Sequence, residues 1–331
     1  MSNGAFVISL DFELFWGVRD KRSIASYGAN LLGVRQAIPG MLKLFSRHRM
    51  HATFATVGML ACSGKKELLD HMPDCRPRYQ DPSLDPYRHL DEVGDNEQSD
   101  PYHFAPSLVE QIRDTEGMDV GSHTFSHYYC LEPGAAPASF RADLEAAQQV
   151  FARRGIKPTS LVLPRNQYAA PFLELARASG ITEFRGNPDH PFYRTEAQSQ
   201  ESAAKRLGRL LDSVVPVAGP LGAQPRMAAA LPVDVPASFF LRPATSSGAV
   251  LDPLRLARIK SAMSSCAREG QVFHLWWHPH NFGTRTEANL QRLNELILHF
   301  KVLSDRYGFQ SRTMAEVARD ALGSAAPGAT A

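Results

Sequence analysis

The 331-residue chain carries 36 Lys and Arg against 34 Asp and Glu, a formal net charge of +2, with 44% hydrophobic and 21% charged residues. That balance excludes a disordered chain and a nucleic-acid binder that works through bulk positive charge. A chain of this length buries roughly three quarters of its unfolded surface without staples, and Cys62, Cys75, Cys130 and Cys266, with no C-x-x-C spacing, read as free thiols.

In chain order, Met1–Leu10 has neither a basic leader nor a long apolar stretch, and no apolar run approaches the ~20 residues of a membrane span. A cytoplasmic protein is therefore expected. Phe6–Leu10 is an apolar, β-rich run that reads as a buried strand. Helical spacing follows within Asn30–His48, where Pro39 suggests that the helix proper begins there. His51–Val57 reads as a second strand. Residues 63–107 are polar and turn-rich and read as a long inserted loop, with Arg76, Arg78, Tyr79, Tyr87, Arg88, Tyr102 and His103 as a set that grips a polar substrate. Met118–Ser122 and Ser160–Leu163 read as strands, Ser139–Arg154 and Pro171–Ser179 as helices, and Glu201–Leu211 as an amphipathic segment. Residues 214–250 form a second Pro-rich insertion, Gln271–Trp277 an apolar strand, Glu287–Tyr307 a helix and 324–331 a frayed tail. Strands alternating with helices, without internal repeat, predict one α/β barrel-like domain over 1–331.

Four segments collect the unusual polar residues, each at the C-terminal end of a predicted strand, where α/β barrels place their active sites. Asp11-Phe12-Glu13 sets two acids directly after an apolar strand, a pair able to divide the work of metal ligand and general base. His123 and His127 are spaced i, i+4; on a helix they share one face and suit chelation of one ion. His274 and His278 have the same spacing but lie in a predicted strand, where four residues span ~13 Å and the two rings cannot hold one ion. Arg165 follows Pro164 at a strand end and is placed to grip a carboxylate through its forked donors. In the run 273–283 Pro279 halts the strand and leaves His278 at the rim as a candidate general acid. Tryptophan faces there are suited to stacking on sugar rings.

Together these segments resemble the polysaccharide deacetylase family, the chitin-deacetylase-like metal-dependent amidases. His123-Thr124-Phe125-Ser126-His127 matches the family's H-[ST]-x-x-H motif, and the acid pair, Pro164-Arg165, Leu275-Trp276-Trp277-His278 and Ala52-Thr53-Phe54 match its other segments in order. The resemblance implies a distorted (β/α)7 TIM-like barrel with long loop insertions. It implies a divalent ion, Zn²⁺ by preference, on Glu13, His123 and His127, with Asp11 as base, oriented by Arg165, and His278 as acid. Trp277, Asn281 and Phe54 are the expected substrate contacts. The implied reaction is hydrolysis of the N-acetyl or N-formyl amide of an amino sugar, in cytoplasmic surface-polysaccharide biosynthesis. The alternatives are an allantoinase-like or cyclic-imide C–N hydrolase and a catalytically impaired glycan-binding homologue. The chain departs from many members in having D-x-E for two adjacent aspartates, in lacking a glycine after Pro164-Arg165 and in offering no clear counterpart of a further Asp/Trp motif.

Overall fold

A computed structural model describes residues 4–197, 202–244 and 250–325. The strands are β1 (Ala5–Phe12), β2 (Ala52–Thr56), β3 (Met118–Ser122), β4 (Ser160–Leu161), β5 (Glu183–Phe184), β6 (Val233–Asp234), β7 (Phe239–Phe240), β8 (Val272–Trp277) and β9 (Gln310–Arg312). The helices are α1 (Ile24–His48), α2 (Gly58–Ala61), α3 (Lys65–Asp70), α4 (Pro106–Arg113), α5 (Pro137–Ala152), α6 (Ala170–Ala178), α7 (Ala203–Asp212), α8 (Asp252–Glu269), α9 (Thr286–Tyr307) and α10 (Met314–Ala325). Every strand pair is parallel, in the order β6-β5-β4-β3-β2-β1-β8-β7, with β9 also on β1. The run 233–240 behaves as one bent strand bonded on both sides. Ala237 N–H donates to Gly186 C=O at 3.0 Å, and the next residue, Ser238, donates to His274 C=O at 2.8 Å. This bend joins the two ends of the sheet and gives the seven strand positions of a distorted (β/α)7 barrel.

Alternation along the strands sorts the barrel. Phe6, Ile8, Leu10, Phe54, Leu275 and Trp277 face outward and pack with the helices. Ala5, Val7 and Val272 face inward at the bottom and cluster with Met314, Val317 and Ala318 of α10, which plugs that end. On the same inward rows the upper positions become polar: Ser9 and Asp11 on β1, His274 and Trp276 on β8. The floor is thus apolar and the mouth polar.

Three sequence expectations change here. Helix α1 does not begin at Pro39. Ser23 and Ser26 form a capping box at its start, and the helix runs 25 residues through the proline. Pro39 removes one ladder bond, a cost of about 3 kcal/mol, but Leu31, Val34, Ile38, Leu42 and Phe45 form one buried stripe across it, each contributing about 1.5–3 kcal/mol. Burial wins. Residues 63–107 are not a bare loop: they contain α3, the 3-10 segments Pro82–Leu84 and Pro86–Glu92, and buried Leu68, Leu84 and Val93. Of the gripping set, Tyr79 accepts a hydrogen bond from Tyr129 N–H at 2.8 Å, and His103 Nδ1 lies 2.8 Å from Asp100, so both are structural. The 214–250 insertion contributes β6 and β7, while 245–249 and 326–331 lie outside the described residues. Among the described residues no helix is long and apolar enough to cross a membrane.

Candidate active site

The end of β1 carries Asp11 inside the strand and Glu13 one residue beyond it, at the head of a 3-10 turn, Leu14–Gly17. That turn brings Gly17 against the Glu13 carboxyl group, where an added Cβ would stand 2.0 Å from Cδ. Any larger residue here would push the Glu13 carboxyl group out of this position. His123 and His127 converge on the same carboxylate, but not from a helix. Thr124 (φ 66°) and His127 (φ 59°) take left-handed conformations in a loop after β3. Asp143 of α5 pins this loop by accepting from Phe125 N–H at 2.7 Å and Ser126 N–H at 3.2 Å. Burial raises the Asp143 carboxyl pKa to about 6, its hydrogen bonds notwithstanding. From the other side the 63–107 insertion braces the loop: Arg78 N–H donates to Gly134 C=O at 3.1 Å and Gln80 N–H to Pro133 C=O at 3.0 Å.

The donor atoms of Glu13, His123 and His127 all lie within 4.8 Å of one another, and all three residues are buried. Glu13 Oε2 is 3.0 Å from His127 Nε2 and 3.4 Å from His123 Nε2. His123 Nδ1 donates to Val162 C=O at 2.7 Å, so a singly protonated ring aims its Nε2 lone pair at the carboxylate. That buried Nε2 has no hydrogen-bond partner. Lone pairs directed at one another repel, and the arrangement asks for a positive charge between them. The residues fit a divalent cation: two imidazole nitrogens and one carboxylate, one imidazole oriented from behind by a carbonyl. Burial alone would raise the Glu13 pKa, but His278, His123 and His127 hold it well below the usual carboxylate range. Burial likewise lowers the His127 pKa to about 3, leaving a neutral ring.

Asp11 is held by a residue that sequence reasoning missed. Arg185, just past β5, forks onto it, with Nη1 donating to Oδ1 and Nη2 to Oδ2, both at 2.7 Å. Arg185 is completely buried. Its Nε donates to Asn166 Oδ1 at 3.1 Å, its Nη1 to Ser9 Oγ at 2.9 Å, and its plane lies 4.2 Å over the Trp276 ring. Burial pushes the Asp11 pKa up, yet the charge and hydrogen bonds of Arg185 together with the charges of His123 and His278 outweigh it, and the net shift is downward. The expectation that Arg165 orients Asp11 is therefore corrected. Arg165 donates to Glu132 at 2.8 Å and to Asp20 at 2.5 Å and lies over the Tyr129 ring, tying three loops together at the cleft wall. Its neighbour Asn166, left-handed at φ 51°, turns its amide oxygen to Arg185. Asparagine tolerates that conformation, which is how the turn closes without a glycine.

His278 sits at the rim, a quarter exposed at its side chain, with Nε2 3.8 Å from Asp11 and 3.6 Å from Glu13. Asn281 Nδ2 is 3.4 Å from His278 Nδ1 and so faces the ring's far side; Asn281 orients the histidine. His280 stacks on His278 at 5.0 Å. His274 is a structural residue: Nδ1 donates to Val235 C=O at 3.2 Å and Nε2 accepts from the Ser9 hydroxyl at 2.8 Å. Two expected substrate contacts are corrected. Trp277 is fully buried and stacks on Phe282, and Phe54 is equally buried among outward-facing core residues. Alternation puts Trp276 on the face of His274 and His278, and Trp276 lines the cleft.

The polysaccharide deacetylase family model matches residues 28–184. Among solved structures, one from Mycobacterium smegmatis assigned to the polysaccharide deacetylases superposes with a TM-score of 0.61 at 12% identity, over 100% of this chain and 94% of the other. Another so assigned, from Pseudomonas aeruginosa PAO1, gives 0.59 at 12% identity over 96% and 90%, and the Puue allantoinase 0.60 at 12% identity over 99% and 93%. At these identities the likeness is one of fold. No curated protein matches in a sequence search. The polysaccharide deacetylase family match thus runs from within α1 to the end of β5, and the rest of the chain completes around it the barrel that the solved polysaccharide deacetylases share.

Proposed function

We propose that the protein is a metal-dependent hydrolase of the N-acyl amide, acetyl or formyl, of an amino sugar. The observation that carries this reading is the convergence of three buried metal-type donors beside an Arg185-held carboxylate and a rim histidine. Glu13, His123 and His127 would hold the ion, Zn²⁺ by preference for a two-imidazole, one-carboxylate set. When bound, it supplies Lewis acidity that polarises the amide carbonyl and acidifies water.

The chain's own residues divide the proton work. Asp11, kept ionised by Arg185, takes the proton from the attacking water. His278 lies on the other side of Glu13's carboxylate with Nδ1 facing the Asn281 side-chain amide; as an imidazolium it gives its Nε2 proton to the departing amine and returns to the neutral ring. Trp276 offers an apolar face at the mouth. Arg185 therefore acts as a positioning residue and Asp11 and His278 as catalytic ones. A role in surface-polysaccharide biosynthesis fits this chemistry and is part of the proposal.

The test is release of free amine from N-acetylated and N-formylated amino sugars by purified protein, before and after chelation and with Zn²⁺ restored, with allantoin as the counter-substrate. Activity that is abolished by chelation, recovers with Zn²⁺ and falls at least ~10²-fold in Asp11→Asn and His123→Ala supports the reading. Full activity in both variants, or turnover of allantoin alone, overturns it.

A further inference from the structure

Past Trp276 and His278 the cleft opens into a cavity of about 320 Å³. Arg165, Arg209, Arg242, Asn187 and Tyr193 line it, and among the described residues no Asp or Glu does. A smaller pocket of about 120 Å³ adjoins it, sharing Arg165 and Arg209 and adding Lys21 and Arg194. Among the described residues the one acid there, Glu196, is engaged by Lys205 at 2.5 Å.

These cations differ in how they are balanced. Arg165 is neutralised by Asp20 and Glu132. Arg255, close behind, is paired with Asp252 at 3.3 Å. Arg242 is half-buried and has no hydrogen-bond or ion-pair partner among the described residues. The charges it faces include those of Arg255 and Arg209, and burial followed by these like charges lowers its pKa. A guanidinium taken partly out of water beside two others is unfavourable unless an anion completes it. Phe239, Phe240 and Trp276 line the same cavity, and so does His278, so the charge shares one space with apolar faces and with the rim histidine.

We propose that this cavity binds a phosphate group carried by the sugar, so that the enzyme acts on glycosyl phosphates or diphosphates and not on neutral sugar chains. The inference rests on the reading of the site as an N-acyl sugar hydrolase and names its substrate class. Several guanidiniums around one cavity suit a multiply charged phosphate or diphosphate. The cavity's place beside His278 sets that group about one sugar away from the scissile amide. A nucleoside diphosphate sugar and a lipid diphosphate sugar share this chemistry.

The experiment compares kcat/KM for N-acetylglucosamine and its 1-phosphate in the wild-type protein and in Arg242→Gln and Arg242→Lys. UDP-N-acetylglucosamine and farnesyl-diphospho-N-acetylglucosamine serve as arms that separate the two sources. Calorimetric binding of inorganic pyrophosphate to the same proteins needs no turnover. A preference of at least tenfold for the phosphorylated sugar, reduced at least fivefold in Arg242→Gln and partly kept in Arg242→Lys, is the expected result. Equal use of both sugars, or a preference untouched by Arg242→Gln, overturns it while leaving the deacylase reading in place. Pyrophosphate binding that is lost in Arg242→Gln, in a protein that deacylates no sugar, upholds the anion site and overturns the deacylase reading instead.

Discussion

Replacing Arg185 by methionine tests the centre of the site most directly. The side chain fills a similar slot but removes both 2.7 Å bonds to Asp11 and leaves that carboxylate buried without its counter-ion. Breaking a buried pair by removing one partner costs about 3–5 kcal/mol. Asp11→Asn alone should cost less, about 1–3 kcal/mol, because Arg185 keeps Asn166, Ser9 and the Trp276 face. The double variant removes the stranded charge, so its loss should fall short of the sum of the singles by about 1–3 kcal/mol. Urea denaturation of the four zinc-loaded proteins at neutral pH gives the cycle. kcat on an N-acetylated sugar should fall at least ~10²-fold in each single variant, with little further loss in the double because base and orienter act as a unit. Stabilities that add within about 0.5 kcal/mol would refute the pairing argument, as would an Arg165→Met protein that couples to Asp11→Asn as strongly as Arg185→Met does.

Gly17→Ala should displace the Glu13 carboxyl group by sterics alone, since the new Cβ would meet it at 2.0 Å; zinc affinity, read by competition with a chelator, is expected to drop ~10–100-fold or more with the melting temperature of the apoprotein little changed, and unaltered affinity would sink the contact. Trp277→Ala removes a fully buried indole and should cost ~3–5 kcal/mol in denaturant stability, whereas Trp276→Ala should act chiefly on KM; the reverse pattern would contradict the assignment of the two faces. Asp143, whose pKa burial lifts from 3.8 to about 6, holds its proton in the folded protein after the unfolded chain has lost it. Its contribution is therefore present below pH ~4 and lost as pH rises through ~6, about 3 kcal/mol at 1.36 per unit. The stability of wild type minus that of Asp143→Asn, followed from pH 4 to 7, should fall by that order, and a flat difference would show that the group does not titrate in this window.

Local signals carried much of this site into the sequence, and long-range ones did not. The strand–helix rhythm and the placing of polar residues after strands were legible because apolar runs and their stops are local. Asp11, Glu13 and the His123–His127 pair could be picked out because each lies within a few residues of its partner. The loop geometry of the pair was not legible, since two left-handed residues, Thr124 and His127, carry no glycine to announce them. Arg185 was invisible: it lies 174 positions from Asp11, and nothing in Glu-Phe-Arg-Gly distinguishes it from a surface arginine until β5 and β1 face each other. Trp276 was within reach. Two-residue alternation from His274 and His278 already puts it, and not Trp277, on the cleft side. The prolines of 63–107 suggested a loop, but apolar Leu68, Leu84 and Val93 among them are what let that segment fold against the barrel.

Strand β1 pairs with β2, but also with β8 and with β9, more than 260 residues further along the chain. During synthesis the strand that bears Asp11 emerges early and waits, one edge unpaired, until nearly the whole chain has been made. High sequence separation slows folding and leaves apolar edges exposed in the interval. Heterologous expression is thus the step at which this protein is most vulnerable, and slowing synthesis or supplying chaperones should rescue soluble yield better than stabilising any single contact in the finished barrel.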